Sequence, residues 1–247
     1  MELSTYIATS RLVAQSHAMD VIANNIANAD TPGFKAGRML FSDWLSRQTG
    51  ARTPAGGQTL AYTQDRATWL DMRPGTLQQT GNPLDLALGG NGFFTVQTGN
   101  GLRLTRAGRF GLLPDGTVAD SAGNPLLDTA GRPIQIDTTT DTGLAIASDG
   151  TISSRAGVVG RIAVVRPQDP MRLKAEGSQL FAANTPILAV STPRIVQGAL
   201  EESNIQPVKE LTRMMNDSQQ FQFVVQFVQA EDTRRQSAID KIAQPAA

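Results

Sequence analysis

Few residues in this sequence have side chains suited to catalysis. The chain has 247 residues with one histidine, His17, and no cysteine. A catalytic triad or a multi-histidine metal site would have only His17 to use, and the lack of cysteine excludes thiolate nucleophiles, disulfides and sulfur-ligated metals. Because no acidic residue lies four positions from His17, a structural or surface role is favoured. The sequence therefore predicts no catalytic histidine and no metal site.

Two other patterns can be compared with known enzyme motifs. The segment Gly89-Gly90-Asn91-Gly92 lacks the third glycine and the helix of a dinucleotide fingerprint, and it is interpreted as a turn. Asp85 and Asp115 could in principle form the carboxylate pair of a glycan-cleaving enzyme. Their Asn-Pro and Asp-Gly contexts are typical of turns instead. No catalytic residue and no cofactor is predicted, although a glycan-cleaving enzyme stays open as an alternative.

Charge and hydropathy exclude further classes. Twenty-two Lys and Arg residues balance twenty-two Asp and Glu residues, which leaves no basic field for nucleic acid. The apolar stretch Phe221 to Val228 is broken by Gln222 and Gln226, and it is far shorter than the roughly 20 residues of a membrane span. Met1 to Ile7 has no positive flank and no apolar run, so we expect no cleavable secretory signal. Neither nucleic acid nor a membrane span is expected.

Both ends of the sequence are predicted to be helical. No proline or glycine occurs from Leu3 to Asn28, and Thr31-Pro32-Gly33 is a strong stop signal. No glycine or further proline follows Pro207 as far as Ile242, and Pro207 suits the first turn of a helix. One face of each helix is apolar: Ala8, Leu12, Met19, Ile22, Ile26 and Ala29 in the first, and Leu211, Met214, Phe221, Val225, Val228, Ile239 and Ile242 in the second.

The middle of the chain has a different pattern from the helical ends. From about Gly75 to Thr192, turn signals recur every eight to twelve residues among Gly, Thr, Val and Leu, which is typical of an all-β domain. Asp115-Gly116 and Asp149-Gly150 predict hairpins with type I′ turns, and the similar residues that follow each pair form a weak internal repeat. Met39-Leu40-Phe41 with Trp44-Leu45 predicts a short helix, and 49–59 predicts a loop.

Together these patterns predict an α+β fold in which the N- and C-terminal helices pair as a coiled-coil-like domain, with an all-β domain inserted between them. The predicted boundaries are 1–35 and 198–247 for the helical assembly domain, 36–74 for a connector region and 75–197 for a β-rich outer domain. Such an insertion would bring the two ends of the chain together, where they can pair with each other or with neighbouring copies.

Four blocks of residues resemble those of a known family. The sequence is similar to the axial proteins of the bacterial flagellum, namely the basal-body rod family, and most to its proximal rod members. The blocks are Val21 to Ala29 with Thr31 to Lys35, Gly75 to Leu88 with Gly92 to Val96, Thr105 to Phe110, and Gly198 to Ile205 with Pro207-Val208. Distal rod and hook-type axial proteins are similar in the same blocks, and from the residues alone a cell-wall-binding or protein-binding module also remains open.

The resemblance implies a non-enzymatic structural subunit that transmits torque from motor to hook. It implies a helical assembly with copies of itself and with other rod proteins, and export to the periplasmic rod of the basal body through the flagellar type III apparatus, without a cleavable signal peptide. The asparagines of the Asn24 to Asn28 segment offer amides to partners. We therefore predict an assembly interface of Ile7, Leu12, Met19, Ile22, Asn25, Ile26, Asn28, Leu211, Met214, Phe221, Val225 and Val228.

Overall fold

Two helices flank a region of many strands. A computed structural model of the protein describes residues 2–48, 58–137, 143–177 and 179–243. Helix α1 spans Glu2–Ala27 and helix α2 spans Pro207–Ala243. Between them lie β1 (Gly37–Gln48), β2 (Gln58–Leu70), β3 (Leu77–Gln79), β4 (Leu86–Leu88), β5 (Phe93–Thr98), β6 (Gly101–Thr105), β7 (Phe110–Leu112), β8 (Val118–Asp120), β9 (Ala145–Ile146), β10 (Thr151–Ser154), β11 (Gly157–Arg161), β12 (Val164–Pro167), a 3-10 turn (Pro170–Arg172), β13 (Leu173–Glu176), β14 (Leu180–Ala183), β15 (Ile187–Ala189), β16 (Ile195–Gln197) and β17 (Ala199–Glu201).

The chain divides into two compact units. The first, here called the helical unit, contains Met1–Ile26, Gly37–Trp69 and Gln206–Ala247, and the second, the β unit, contains Ala27–Ala36 and Leu70–Ile205. Strands β1 and β2 form a two-stranded sheet in the helical unit. Because only a short connection separates them, they form a hairpin. The segment between α1 and β1 belongs to the β unit, so the chain leaves the helical unit and returns to it before the hairpin begins.

Asn25 holds the base of this hairpin. Its side-chain amide donates to the carbonyl oxygen of Gly37 at 3.0 Å and accepts from the Gly37 N–H at 2.9 Å. The Asn25 side chain is buried, so neither bond competes with water. On the other side of the hairpin base, the Arg38 guanidinium donates to the Glu210 carboxylate of α2 at 2.8 Å. Both helices of the unit are therefore bonded to the first two residues of β1.

The β unit is built on a six-stranded sheet in the order β13-β14-β6-β5-β12-β15, in which all the described pairs are antiparallel. Smaller sheets pair β11-β10-β9, β16-β4, β17-β3 and β7-β8. The main core is a cluster of aliphatic side chains around Phe94 and Phe110, whose rings meet edge to face with centroids 5.5 Å apart. A separate small cluster of Phe34, Ala36 and Ile205 covers the segment that follows α1.

The predicted hairpins at Asp115 and Asp149 are present, but the predicted turn type is wrong. Gly116 and Gly150 have φ of 80° and 90°, whereas no residue other than glycine has a positive φ in the described parts of the chain. A type I′ turn needs positive φ at both central residues, so these are type I turns followed by a left-handed glycine. In each turn the Asp carboxylate accepts from the N–H two residues ahead at 3.0 Å. The internal repeat is thus a repeat of turn chemistry.

The predicted fold class is wrong. In place of an α+β fold with a separate coiled-coil-like domain, the structure has two helices flanking a large all-β region, and the unit that contains the helices also contains the β1–β2 hairpin. The short helix predicted at Met39-Leu40-Phe41 and Trp44-Leu45 is wrong as well, because these residues lie in β1. Short apolar runs fit both the helical period and the strand period. Here the pairing of β1 with β2 favours the strand. Most of the predicted 49–59 loop lies outside the described residues.

Gly108 tests the close contact between two segments of the β unit. An added Cβ at Gly108 would lie 1.5 Å from the carbonyl oxygen of Leu86, whereas one at Gly111 would meet nothing within 4 Å. We expect Gly108→Ala to lower the free energy of unfolding by about 3 kcal/mol, because backbone must move to make room. Gly111→Ala is the matched control and should leave stability within about 1 kcal/mol. Urea unfolding of both variants measures the difference, and equal midpoints would contradict the described contact.

Asn25 tests the hairpin base. Replacing Asn25 with alanine removes both bonds to Gly37 and leaves a backbone N–H and carbonyl without these partners. We expect a loss of about 2 kcal/mol in the stability of the helical unit, even though alanine is the better helix former. The control Asn216→Ala changes an exposed asparagine of α2 and should raise helix stability by a few tenths of a kcal/mol. Helix circular dichroism during urea unfolding gives the comparison, and a stable Asn25→Ala variant would refute the role.

Candidate assembly surfaces and a buried charge cluster

Helix α1 buries a face of small and polar side chains. Its buried residues are Ala8, Ala14, Gln15, Ala18, Ile22 and Asn25. They recur at the spacing of one helix face. The larger apolar side chains Leu12, Met19 and Ile26 flank this face and are half-buried. Small residues allow another backbone to approach closely, so the buried face of α1 supplies surface for contact rather than a large apolar volume.

One side of helix α2 is partly buried along most of its length. Most of its partly buried positions follow Glu210 at intervals of three and four residues: Met214, Asp217, Phe221, Val224, Val228, Glu231 and Arg235, with Ser218 and Val225 beside them. In the middle of the two helices, the Gln15 amide donates to Gln220 at 3.4 Å. The side-chain oxygen of Gln15 is buried and accepts no hydrogen bond. The contact between the helices is therefore polar at its centre and incompletely satisfied.

A cleft opens where α1 and α2 diverge. It has a volume of about 540 Å³ and is lined by Ile7, Ala8, Arg11, Gln220, Phe223, Val224 and Phe227. Phe223 is 71 % exposed and Phe227 is 50 % exposed. Two phenylalanines in water four residues apart on one helix are unusual for a surface that remains solvated. The cleft is a largely apolar concavity on the described surface of the helical unit.

Three further exposed apolar residues of α2 lie between the start of the helix and this cleft, and Ile239 is exposed near the end of the helix. Val208, Leu211 and Met215 are 76 %, 49 % and 65 % exposed, and their spacing of three and four places them on one side of the helix. We call Val208, Leu211, Met215, Phe223 and Phe227 the outer face of α2. Helix α2 thus exposes apolar side chains both at the cleft that α1 lines, where Phe223 and Phe227 lie, and elsewhere on its surface.

The predicted assembly residues divide between these environments. Ile22 and Asn25 are buried, and Leu211 is exposed. The others are half-buried: Ile7, Leu12, Met19, Ile26, Asn28, Met214, Phe221, Val225 and Val228. The Asn25 amide is bonded to Gly37, and the Asn28 oxygen accepts from the Thr31 hydroxyl at 3.2 Å. Both asparagine side chains therefore act within the chain.

Sequence reasoning missed four of the five residues of the outer face. Val208, Met215, Phe223 and Phe227 do not fall on the single apolar stripe that was predicted for α2. The signal was present, because Phe223 and Phe227 lie four residues apart and Met215 lies four residues after Leu211. A search for one apolar stripe does not find apolar side chains that lie outside that stripe.

The carboxylates considered for glycan cleavage hold turns in the β unit. Asp85 accepts from the Thr80 hydroxyl at 2.6 Å and from the Asn82 amide at 3.1 Å. Asp115 accepts from the Thr117 N–H, and this hydrogen bonding lowers the pKa of its carboxyl. These contacts favour the interpretation of both residues as turn formers. Among the residues that the structure describes, no three acidic or histidine side chains are grouped so as to bind a metal ion.

The ionisable groups at the start of α2 are partly desolvated. The Glu210 carboxylate is buried, and one oxygen accepts from both Arg38 at 2.8 Å and Arg213 at 3.0 Å, while the other has no hydrogen-bond partner. Two turns further on, burial raises the pKa of Asp217, and the charge of Arg213 opposes that shift. The ionised form of Asp217 is therefore disfavoured in the folded helical unit relative to an exposed carboxyl.

A cluster of three charges is buried in the β unit. The Glu201 carboxylate accepts from the Lys35 ammonium at 2.5 Å and from the Arg106 guanidinium at 3.0 Å, with side chains that are 1 %, 0 % and 5 % exposed respectively. The N–H of Gly75 donates to the same carboxylate at 3.1 Å. Arg106 also donates to the Gly90 carbonyl at 2.9 Å and lies over the ring of Phe93. We call Lys35, Arg106 and Glu201 the buried charge cluster.

The surroundings of Lys35 show how strongly this cluster is desolvated. Burial lowers the pKa of the Lys35 ammonium, and the neighbouring Glu201 carboxylate opposes that shift. Lys35 also donates to the Arg73 carbonyl at 3.0 Å. The backbone is fixed at the same place, because the Gly33 N–H donates to the Glu201 carbonyl at 2.7 Å and the Ala36 N–H donates to the Asn204 side chain at 2.9 Å. The cluster joins the segment after α1 to the segment before α2.

Neither long helix resembles a membrane span. Over the described residues, neither is apolar enough along its length to cross a bilayer.

Comparison with known proteins matches three segments of the chain to flagellar families. Residues 6–35 match the flagella basal body rod protein family, residues 87–154 match the D1 domain of the flagellar hook protein FlgE/F/G family, and residues 196–241 match the C-terminal region of the flagellar basal body rod FlgEFG family. The flagellar basal-body rod protein FlgF of Caulobacter vibrioides is 34 % identical, and the aligned region covers 98 % of each chain.

Two further relatives are also named as flagellar basal-body rod proteins. The FlgF of Mesorhizobium japonicum is 34 % identical over 87 % of each chain. The flagellar basal-body rod protein FlgG of Bacillus subtilis is 33 % identical over 96 % of this chain and 98 % of its own. The matched segments include both terminal helices and part of the β unit, and the identity extends over nearly the full length. The chain therefore belongs to the flagellar basal-body rod protein family, as a FlgF-like member.

Proposed function

We propose that this chain is a structural subunit of the flagellar basal-body rod, the shaft that carries torque from the motor to the hook. The observation that carries this proposal is the outer face of α2, a set of exposed apolar side chains on a helix that also contacts α1. Relatives named as basal-body rod proteins align over nearly the whole chain. A subunit of a continuous shaft needs a surface that remains available after its own helices have met, and the outer face supplies one.

The proposed assembly interface combines this face with the residues predicted from sequence. Helix α2 would contribute Leu211 and its exposed neighbours directly to copies of the same chain or to other rod proteins. The half-buried residues of both helices, among them Leu12, Met19 and Phe221, would become fully buried on assembly. Each large apolar side chain removed from water stabilises the contact by about 1.5–3 kcal/mol. Repeated head-to-tail contacts of this kind produce a helical filament rather than a closed ring.

The proposal also assigns the subunit a position in the rod and a route of export. We place the subunit in the proximal rod, because FlgF proteins are among the relatives with the highest coverage. A distal position is the second candidate, since the FlgG of Bacillus subtilis aligns over a similar share of the chain. We propose export through the flagellar type III apparatus to the periplasmic rod, and the membership of the chain in the rod family supports this proposal.

A double substitution in the outer face tests the assembly role. We expect Met215→Glu with Phe223→Glu to leave the monomer folded, because both side chains are exposed, and to raise the protein concentration needed for assembly at least about tenfold. The matched control is Val158→Glu in β11, a residue 74 % exposed. Sedimentation and electron microscopy measure assembly, and circular dichroism checks the fold. Normal assembly by the folded double variant would refute the proposed surface.

Complementation tests the position in the rod. We expect this chain to restore motility in a strain of its own species that lacks the native copy, and the Met215→Glu, Phe223→Glu variant to fail. Chemical cross-linking in isolated basal bodies then identifies the neighbours. Cross-links to proteins of the proximal segment are expected, whereas cross-links confined to hook and distal components would favour the distal position.

A further inference from the structure

The last strands of the β unit complete parts of it that lie far earlier in the sequence. Strand β16 pairs only with β4, and β17 pairs only with β3, each in a two-stranded sheet of the described residues. The side chain of Ile195 enters the main core. The Gln197 amide donates to the carbonyls of Pro83 and Leu144 at 2.9 and 3.2 Å. Without residues 195–205, β3 and β4 have no strand to pair with.

The same segment brings the carboxylate of the buried charge cluster. Lys35 and Arg106 are both nearly inaccessible to solvent, and Glu201 is the acidic residue that forms ion pairs with both. Asp71 also acts on Lys35 through its charge, but its carboxylate is paired with Arg73 at 2.5 Å. Burying a cation without its partner is strongly unfavourable. Until Glu201 is in place, the chain around Lys35 and Arg106 cannot close without burying two positive charges.

We propose that Glu201 makes folding of the β unit conditional on residues 195–205, so that a chain that has emerged only as far as β15 stays unfolded. Most of the β sheet precedes this segment in the sequence, including all six strands of the largest sheet. The order of the sequence therefore delays folding until almost the entire β unit is available. The biological value of the delay rests on the proposed function: a chain that is exported before it assembles gains from a β unit that does not close early.

Pulsed hydrogen exchange on the full chain during refolding tests the condition directly. We expect the backbone amides of β5 and β6 to gain protection in the same kinetic phase as those of β17, because the sheet closes only when Glu201 joins the two cations. An earlier phase that protects β5 and β6 while β17 remains exposed would overturn the proposal.

Substitution of the carboxylate tests the physical cause. Glu201→Gln keeps the shape and removes the charge, and we expect the folding equilibrium constant to fall by roughly 10²–10³-fold. Most of this change should appear as slower folding, with little change in the unfolding rate. The control is Glu202→Gln, because Glu202 is the adjacent residue, is exposed and bonds to Thr76. Faster unfolding of Glu201→Gln with an unchanged folding rate would show that Glu201 acts after the barrier, and would overturn the proposal.

A charge-free variant keeps the test decisive if Glu201→Gln does not fold. Replacement of the whole cluster by apolar residues (Lys35→Met, Arg106→Met and Glu201→Leu together) removes the unpaired cations, and buried ion triads tolerate such replacement in other proteins. We expect this triple variant to fold at least tenfold faster than Glu201→Gln, or to fold where Glu201→Gln does not. Equal folding rates, or a triple variant that also fails to fold, would overturn the proposal.

Export is measured separately. Secretion of the triple variant below the wild-type level would support the biological value of the delay. Normal secretion of a triple variant with fast folding would remove that value and leave the folding condition intact. Failure of the wild-type chain to enter rods would instead count against the proposed function alone.

Discussion

The structure of this chain depends on one carboxylate that is buried beside two cations. The Glu201 carboxylate accepts hydrogen bonds from three donors. These are Lys35 in the segment after α1, Arg106 just after β6, and the N–H of Gly75 in the segment before β3. These donors come from three parts of the sequence that no single sheet connects. A charge that must be paired therefore fixes the meeting point of segments that would otherwise be joined only by loops.

This cluster specifies the arrangement more than it stabilises it. Taking three charges out of water is unfavourable, and apolar residues of similar volume often give equal or greater stability. The nearby apolar cluster is small, consisting of Phe34, Ala36 and Ile205, so nonspecific burial alone would define this junction poorly. A mispaired arrangement would leave a buried cation without an anion, and that penalty makes alternative arrangements unfavourable. The four blocks that resemble the rod family meet here, which gives a physical reason for their residue types.

Sequence reasoning identified the two terminal helices and the β-rich middle of the chain. It failed where contacts between residues far apart in the sequence decide the structure. The start of α2 at Pro207 and the stop before Pro32 follow from local backbone constraints, and the structure confirms both. The turns at Asp115 and Asp149 were found because Asp-Gly is a local signal, although the exact turn type depends on how the flanking strands twist. Strand β1 was missed because its identity is set by β2. The buried charge cluster was missed because no local sequence pattern indicates that a charged residue, which is usually exposed, will be buried.

The exposed apolar side chains of α2 suit a subunit of an open-ended shaft. A helix with a single apolar stripe is satisfied once it contacts α1, and it has nothing left with which to bind a neighbour. In this chain the outer face stays exposed, and the stretch from Ser218 to Ala230 that carries Phe223 and Phe227 contains no charged residue. Identical copies can therefore stack along this stretch without bringing like charges together. Because the helical unit carries this surface, while the β unit has its own cores and charge cluster, we expect substitutions in the outer face to affect assembly and to leave the fold of the β unit unchanged.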